Sequence, residues 1–284
     1  YHASAQTQSQ PAQKQADYQK AADLYRQQLP LALDTADQVR ILQALGDVLY
    51  RGEQYLAAIT VFEQLAYDQP RGTNPAESGY FALLSYQALL KAASPAQQAA
   101  QLNAQKQATL RYAKAFADQP QAVDAMLTVL AQYLQKEQLA EVSELATQTL
   151  GLPKLTAIQR QNTQIILANA YFDQAQWQAA EQAYRQVLAL PNLPAEMTTR
   201  YQNQLAASLY KQADQAQQQG DTVLAARLYQ QASQATVDDR LKIEAAWRSA
   251  MVIGETPAAI TALQAFYQNY PSQPQAVGIP ERIV

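Results

Sequence analysis

The chain has 284 residues, with 21 Lys and Arg against 24 Asp and Glu, a net charge of −3, one His and no Cys. The lack of Cys excludes disulfides, thiol catalysis and thiolate metal sites. The mild negative charge, without any basic run, argues against nucleic acid as a partner, and no stretch approaches the ~20 consecutive apolar residues that cross a bilayer. Ala and Leu supply most of the apolar residues, and with Gln, Glu, Lys and Arg they are strong helix formers, so the composition reads all-α.

Taken along the chain, residues 1–14 (YHASAQTQSQPAQK) are rich in Gln, Ser and Ala and read as a polar linker or tail, with nothing resembling a signal peptide. The start at Tyr1 rather than Met is the mark of a processed product or a fragment. Residues 17–30 read as one helix with Ala21 and Tyr25 on its packing side. From Val39 a clearer unit, 39–72, sets large residues at Leu42, Leu45, Leu49, Phe62 and Leu65 and small ones at Gly46 and Ala58, and closes at Pro70. Small side chains belong where two helices approach closely, with larger ones filling the space a turn away. The stretches 76–120 and 121–154 repeat this less regularly. In the first, Ala108, Tyr112, Ala115 and Pro120 mark a second helix whose partner around 80–92 lies too far upstream, with a turn inserted at Ser94-Pro95. In the second, Glu144 takes a place held elsewhere by an aromatic residue. The register returns at 161–194 (Leu167, Ala168, Tyr171, Ala180, Tyr184), at 206–239 (Leu209, Ala213, Gly220, Ala225, Tyr229) and at 240–273 (Ala246, Trp247, Ala250, Gly254, Ala259, Phe266, Pro271). Residues 276–284 read as a C-terminal extension.

These spacings resemble the tetratricopeptide repeat, a helical hairpin of about 34 residues patterned W-x-x-L-G-x-x-Y, then A-x-x-x-F, then P. Leu42 and Leu49 stand at its Trp and Tyr places. The resemblance covers about 15–275 and implies an all-α, right-handed α-solenoid of stacked antiparallel helix pairs, stabilised between neighbours, with first helices lining a concave face.

Signs of chemistry are few. With one His, a Ser/His/Asp or Cys/His system or a His-bearing metal site is not expected, and the chain has no nucleophile elbow, P-loop or dinucleotide fingerprint. Glu137, Glu141 and Glu144 share one helical face and read as solvated. Asp238-Asp239 precedes a helix, whose positive end favours such charges. No catalytic residue, metal site or cofactor is therefore expected, and the chain reads as a non-enzyme.

What the resemblance implies instead is a binding surface on the first helices. Its positions fall on Arg40, Gln43, Asp47, Tyr50 and Arg51, then on Asn162, Asn169 and Phe172, then on Tyr210 and Asp214, and last on Arg248. Amides, rings and opposite charges suit an extended peptide, whose backbone needs hydrogen-bond partners. Asn169 has no Lys or Arg beside it at the place a carboxylate clamp requires, so that ligand is not carried over. The expected function is a noncatalytic scaffold that binds a protein or peptide and assembles or positions a complex. The ending ALQAFYQNYPSQPQA resembles those of bacterial envelope repeat proteins, which implies a periplasmic or membrane-tethered place, with the cytoplasm as alternative. A second reading is an accessory domain of polysaccharide export or synthesis, binding glycan on Tyr50, Phe172 and Tyr210.

Overall fold

Many of the helices begin at a short polar side chain that accepts from a free backbone donor, or at a proline, which has no N–H to leave free. The computed structural model describes residues 1–8, 10–68, 74–254, 256–277 and 279. Among them are fourteen α-helices: α1 His2–Thr7, α2 Pro11–Gln28, α3 Thr35–Arg51, α4 Tyr55–Glu63, α5 Pro75–Ala92, α6 Pro95–Ala115, α7 Pro120–Gln135, α8 Leu139–Leu150, α9 Ala157–Asp173, α10 Trp177–Leu188, α11 Ala195–Gln218, α12 Thr222–Ala235, α13 Asp239–Val252 and α14 Pro257–Asn269. Asp34, Asn74, Thr156, Asp221, Asp238 and Thr256 accept from a backbone N–H of the helix each precedes. Asp238 thus caps α13, the structural role its position predicts. Among the described residues no helix is long and apolar enough to cross a membrane.

The chain divides into two units. The first comprises 1–132 with 151–155, and the second 133–150 with everything from Thr156 onward. In the first, each helix from α1 to α5 packs on its successor; in the second, so does each from α8 to α13. Short connections between neighbours make these successive pairs helical hairpins. The fold class is accordingly all-α, each unit an array of stacked hairpins of the tetratricopeptide-like α-solenoid kind.

Gly46 shows why the small residues stand where they do. A Cβ placed on it would lie 2.6 Å from Phe62 Cε1, so only glycine lets α3 and α4 close with that ring between them. Around this contact Leu42, Leu45, Leu49, Ala58 and Leu65 form a buried core shared with Tyr18 and Ala22 of α2. The second unit repeats the arrangement around Tyr184, Tyr201, Leu209 and Tyr229, and closes on Leu263, Phe266, Ala276 and Ile279.

Four hairpin turns share one backbone device. Glu53, Glu137, Ala175 and Gly220 adopt positive φ of 59°, 55°, 57° and 82°. In each, the residue that follows donates its N–H five residues back: Gln54 to Leu49, Gln138 to Tyr133, Gln176 to Tyr171 and Asp221 to Ala216. This is a Schellman closure, which satisfies the last carbonyls of the first helix. Gly254, at φ 73°, occupies the α13–α14 turn.

The structure departs from the sequence expectations in several places. Residues 1–14 are not a plain tail: three residues lie between α1 and α2, as between α3 and α4, and Ala5 of α1 is fully buried. The helix read at 17–30 therefore has a short first helix packed before it. The unit expected from Ala206 begins inside α11, a 24-residue helix that starts at Ala195 after Pro194, because the repeat pattern marks packing positions and not helix starts. In the irregular stretch 76–120, α5 and α6 have 18 and 21 residues. Gly79 faces the Tyr112 ring, with its virtual Cβ 2.9 Å away, so this hairpin has its own close-approach glycine. The expected extension from 276 instead starts with Ala276 in the core. Pro70 lies outside the described residues.

Candidate functional site

On α3 of the first unit, Arg40 and Gln43 are exposed, and the Arg40 guanidinium turns back to Asp37, which it holds below the ordinary carboxylate range. Asp47 accepts from Arg51 Nε at 2.8 Å and lies 3.0 Å from His2 Nε2. The same pairing with Asp47 raises the Arg51 pKa. His2, placed by sequence in a tail, is half-buried on α1, with its other ring nitrogen 3.4 Å from the Tyr25 hydroxyl. Tyr50 is half-buried and meets Tyr55 edge-on at 5.7 Å.

In the second unit Asn162 is exposed near the start of α9. Asn169, two turns on, accepts the Tyr184 hydroxyl at 2.9 Å. Phe172 packs edge-on against Trp177 at 5.2 Å and Tyr184 at 6.2 Å. On α11, Tyr210 meets Tyr229 at 5.0 Å, and Asp214 accepts the Tyr229 hydroxyl at 2.6 Å, with Gln217 Oε1 at 3.0 Å from the same oxygen. On α13, Arg248 donates to Glu244 at 3.0 Å and its guanidinium lies 5.9 Å from the Tyr210 ring centre. Burial, then the adjoining carboxylates Asp173 and Asp214, push the Tyr184 and Tyr229 phenols upward. The hydrogen bond to Glu244 raises Arg248.

Asn169–Tyr184 and Asp214–Tyr229 are the same interaction in two repeats, each spanning fifteen residues from first helix to second. The same interval pairs Asp47 with Phe62 and Met251 with Phe266. Where the ring carries a hydroxyl the first helix offers a polar acceptor, and opposite Phe266 it offers an apolar side chain. Asp47 breaks the pattern, because Phe62 has no hydroxyl to give it. Arg51 and His2 supply its partners instead. The positions expected to face a ligand at Asn169 and Asp214 are thus engaged in holding their own hairpins.

Tyr210, Asp214 and Arg248 do come together, through Tyr229 and the Arg248–Tyr210 contact, and Arg248 also lines a recess on the first helices. A cavity of about 350 Å³ between α11 and α13 is lined by Gln217, Glu244, Trp247, Arg248, Met251 and Gln275 among others. Trp247 forms an apolar wall anchored on Phe266, 5.3 Å between ring centres. Gln275 comes from the short 3-10 turn Pro274–Ala276, and its Oε1 is buried without a protein hydrogen-bond partner. Sequence reasoning missed Gln275 because YPSQPQA reads as a helix stop. Among the described residues no cluster of three or more His, Cys, Asp or Glu is arranged to hold a metal ion.

Stacked hairpins of this kind define a helical-repeat protein, and one repeat also matches a family model. Residues 165–198 match the tetratricopeptide repeat family model, so the chain carries a repeat of that family spanning most of α9, all of α10 and the start of α11. No curated protein matches the chain. Among solved structures it is similar to the apo form of the quorum sensor NprR from B. thuringiensis, with 13% identity and a TM-score of 0.28, over 96% of this chain and 62% of that one. This chain thus spans less than two thirds of that protein's length.

Proposed function

We propose that this chain is a noncatalytic protein-interaction scaffold that takes an extended segment of a partner protein against its first helices, with the α11–α13 recess as the principal site. The observation that carries this reading is the unpartnered Gln275 acceptor in a recess that also presents an apolar wall, a carboxylate and a guanidinium. A peptide N–H supplies the donor Gln275 lacks, and a polar side chain of the segment exchanges with the Glu244–Arg248 pair. The pairing of Tyr184 and Tyr229 with first-helix residues holds α9 and α11 in place for this contact. Arg40, Gln43, Asp47, Tyr50 and Arg51 extend the same kind of surface on the first unit, and Asn162, Asn169 and Phe172 on α9. The absence of Cys and the YPSQPQA ending support a bacterial envelope setting, in the periplasm or tethered to a membrane.

Because the chain has no Cys, a single introduced thiol reports position cleanly. Gln217→Cys on α11 and Gln230→Cys on α12, each carrying a photo-crosslinker, are exposed to envelope and cytosolic fractions. The expected result is one partner captured from Gln217→Cys, lost when Arg248→Glu is added, and not captured from Gln230→Cys. Equal capture at both positions, or capture indifferent to Arg248→Glu, contradicts the proposal.

A further inference from the structure

In the first unit, a small recess lies where α5, α6 and α7 meet. Its volume is about 50 Å³, and its polar lining is Tyr80 and Gln87 from α5, Gln105 and Thr109 from α6, and Asp124 and Thr128 from α7. Gln105 and Thr109 stand one helical turn apart and are 4% and 1% exposed. Gln105 Oε1 and Thr109 Oγ1 are both buried without a protein hydrogen-bond partner. Two such atoms opening on one recess are unusual, since nearly all buried polar groups in folded proteins are hydrogen-bonded.

We propose that this recess is a specific site for ordered water, a cluster of about two or three molecules judged from the ~15 Å³ each needs in a cavity of this kind. Water is the one ligand that fits both the size and the mixed chemistry. Gln105 Oε1 requires a donor, whereas the Thr109 hydroxyl both donates and accepts. The Thr128 hydroxyl donates to the Asp124 carbonyl at 2.8 Å and keeps a lone pair for a further donor. Bridging molecules would link α6 to the polar side chains of α5 and α7. A dry, apolar joint at this place would instead have called for Val or Leu at positions 105 and 109. The site lies at the irregular hairpin, among residues of α5, α6 and α7.

The test uses the full chain and two readouts. A high-resolution crystal structure is expected to show water within hydrogen-bond distance of Gln105 Oε1 and Thr109 Oγ1, and Thr109→Ser is expected to retain it. Thr109→Val, of equal shape and similar helix propensity, is expected to lower the Tm by about 2–4 °C. A dry recess, a metal ion or a side chain of a partner in that density overturns the proposal. So does a Thr109→Val Tm that is unchanged or raised, because replacing a truly orphaned hydroxyl by methyl does not destabilise.

Discussion

Gly46 and Phe62 show how one residue sets the distance between two helices. Adding a methyl group at Gly46 forces the Phe62 ring to move, since the new carbon would lie 2.6 Å from Cε1. Gly46→Ala is expected to destabilise the chain by about 1–3 kcal/mol, read by urea denaturation. At Tyr229 the relevant atom is the hydroxyl. Tyr229→Phe leaves Asp214 without its 2.6 Å donor and is expected to cost about 1–2 kcal/mol, whereas a solvent-facing hydroxyl would cost nothing measurable. Gly46 was legible in the sequence because its large and small neighbours follow the repeat spacing. Gly79, which plays the same part against Tyr112, was not, because the inserted turn at Ser94-Pro95 moves its ring 33 positions away instead of 16. The hydroxyl pairing was hidden for another reason: whether Asn169 faces a ligand or its own hairpin depends on the rotamer of Tyr184.

Among the elements, the hairpin turns carry the most direct test of backbone reasoning. Gly220 at φ 82° has open space around its Cα, so a substitution there meets only backbone strain. Gly220→Ala is expected to lower stability by about 1 kcal/mol. Ala175 holds nearly the same conformation at φ 57° with the Cβ already present. Ala175→Gly is expected to stabilise by about 0.5 kcal/mol, the relief of strain exceeding the greater entropy of the unfolded glycine. Paired thermal denaturation of the two variants gives opposite signs if the Schellman closure is as described. Gly220 and Gly254 announced their turns in the sequence, but Glu53, Glu137 and Ala175 did not, since side chains there reveal nothing of a left-handed backbone. Helix starts were similarly obscure: the α11 pattern becomes periodic at Ala206 although the helix begins at Ala195.

For the whole molecule, the phenols buried in the cores make a prediction about alkaline pH. Burial pushes Tyr112 and Tyr86 up to about 12, with the Glu63 carboxylate adding to the effect at Tyr86. Tyr184 and Tyr229 are also raised. An unfolded tyrosine ionises near ~10. Because the folded values are the higher ones, this stability is fully present below pH ~10 and is lost as pH rises towards 12. Circular dichroism and phenolate absorbance should therefore change together over that interval, and phenolate absorbance completed near pH 10 with helicity retained would contradict the burial described.

The all-α character was readable from the helix-forming composition, and the stacked hairpins from the repeat resemblance that the Ala, Leu and Gly spacing carries. The recess was only partly readable. Arg248 was found through the repeat register, while Gln275 arrives from beyond the last hairpin, where no register applies. The most direct measurement of the central proposal is hydrogen exchange on the full chain with and without the partner segment recovered by crosslinking. The account predicts added protection in α11 and α13 around residues 210–217 and 244–252. Protection confined to α12 and α14, with α11 and α13 unchanged, would contradict it.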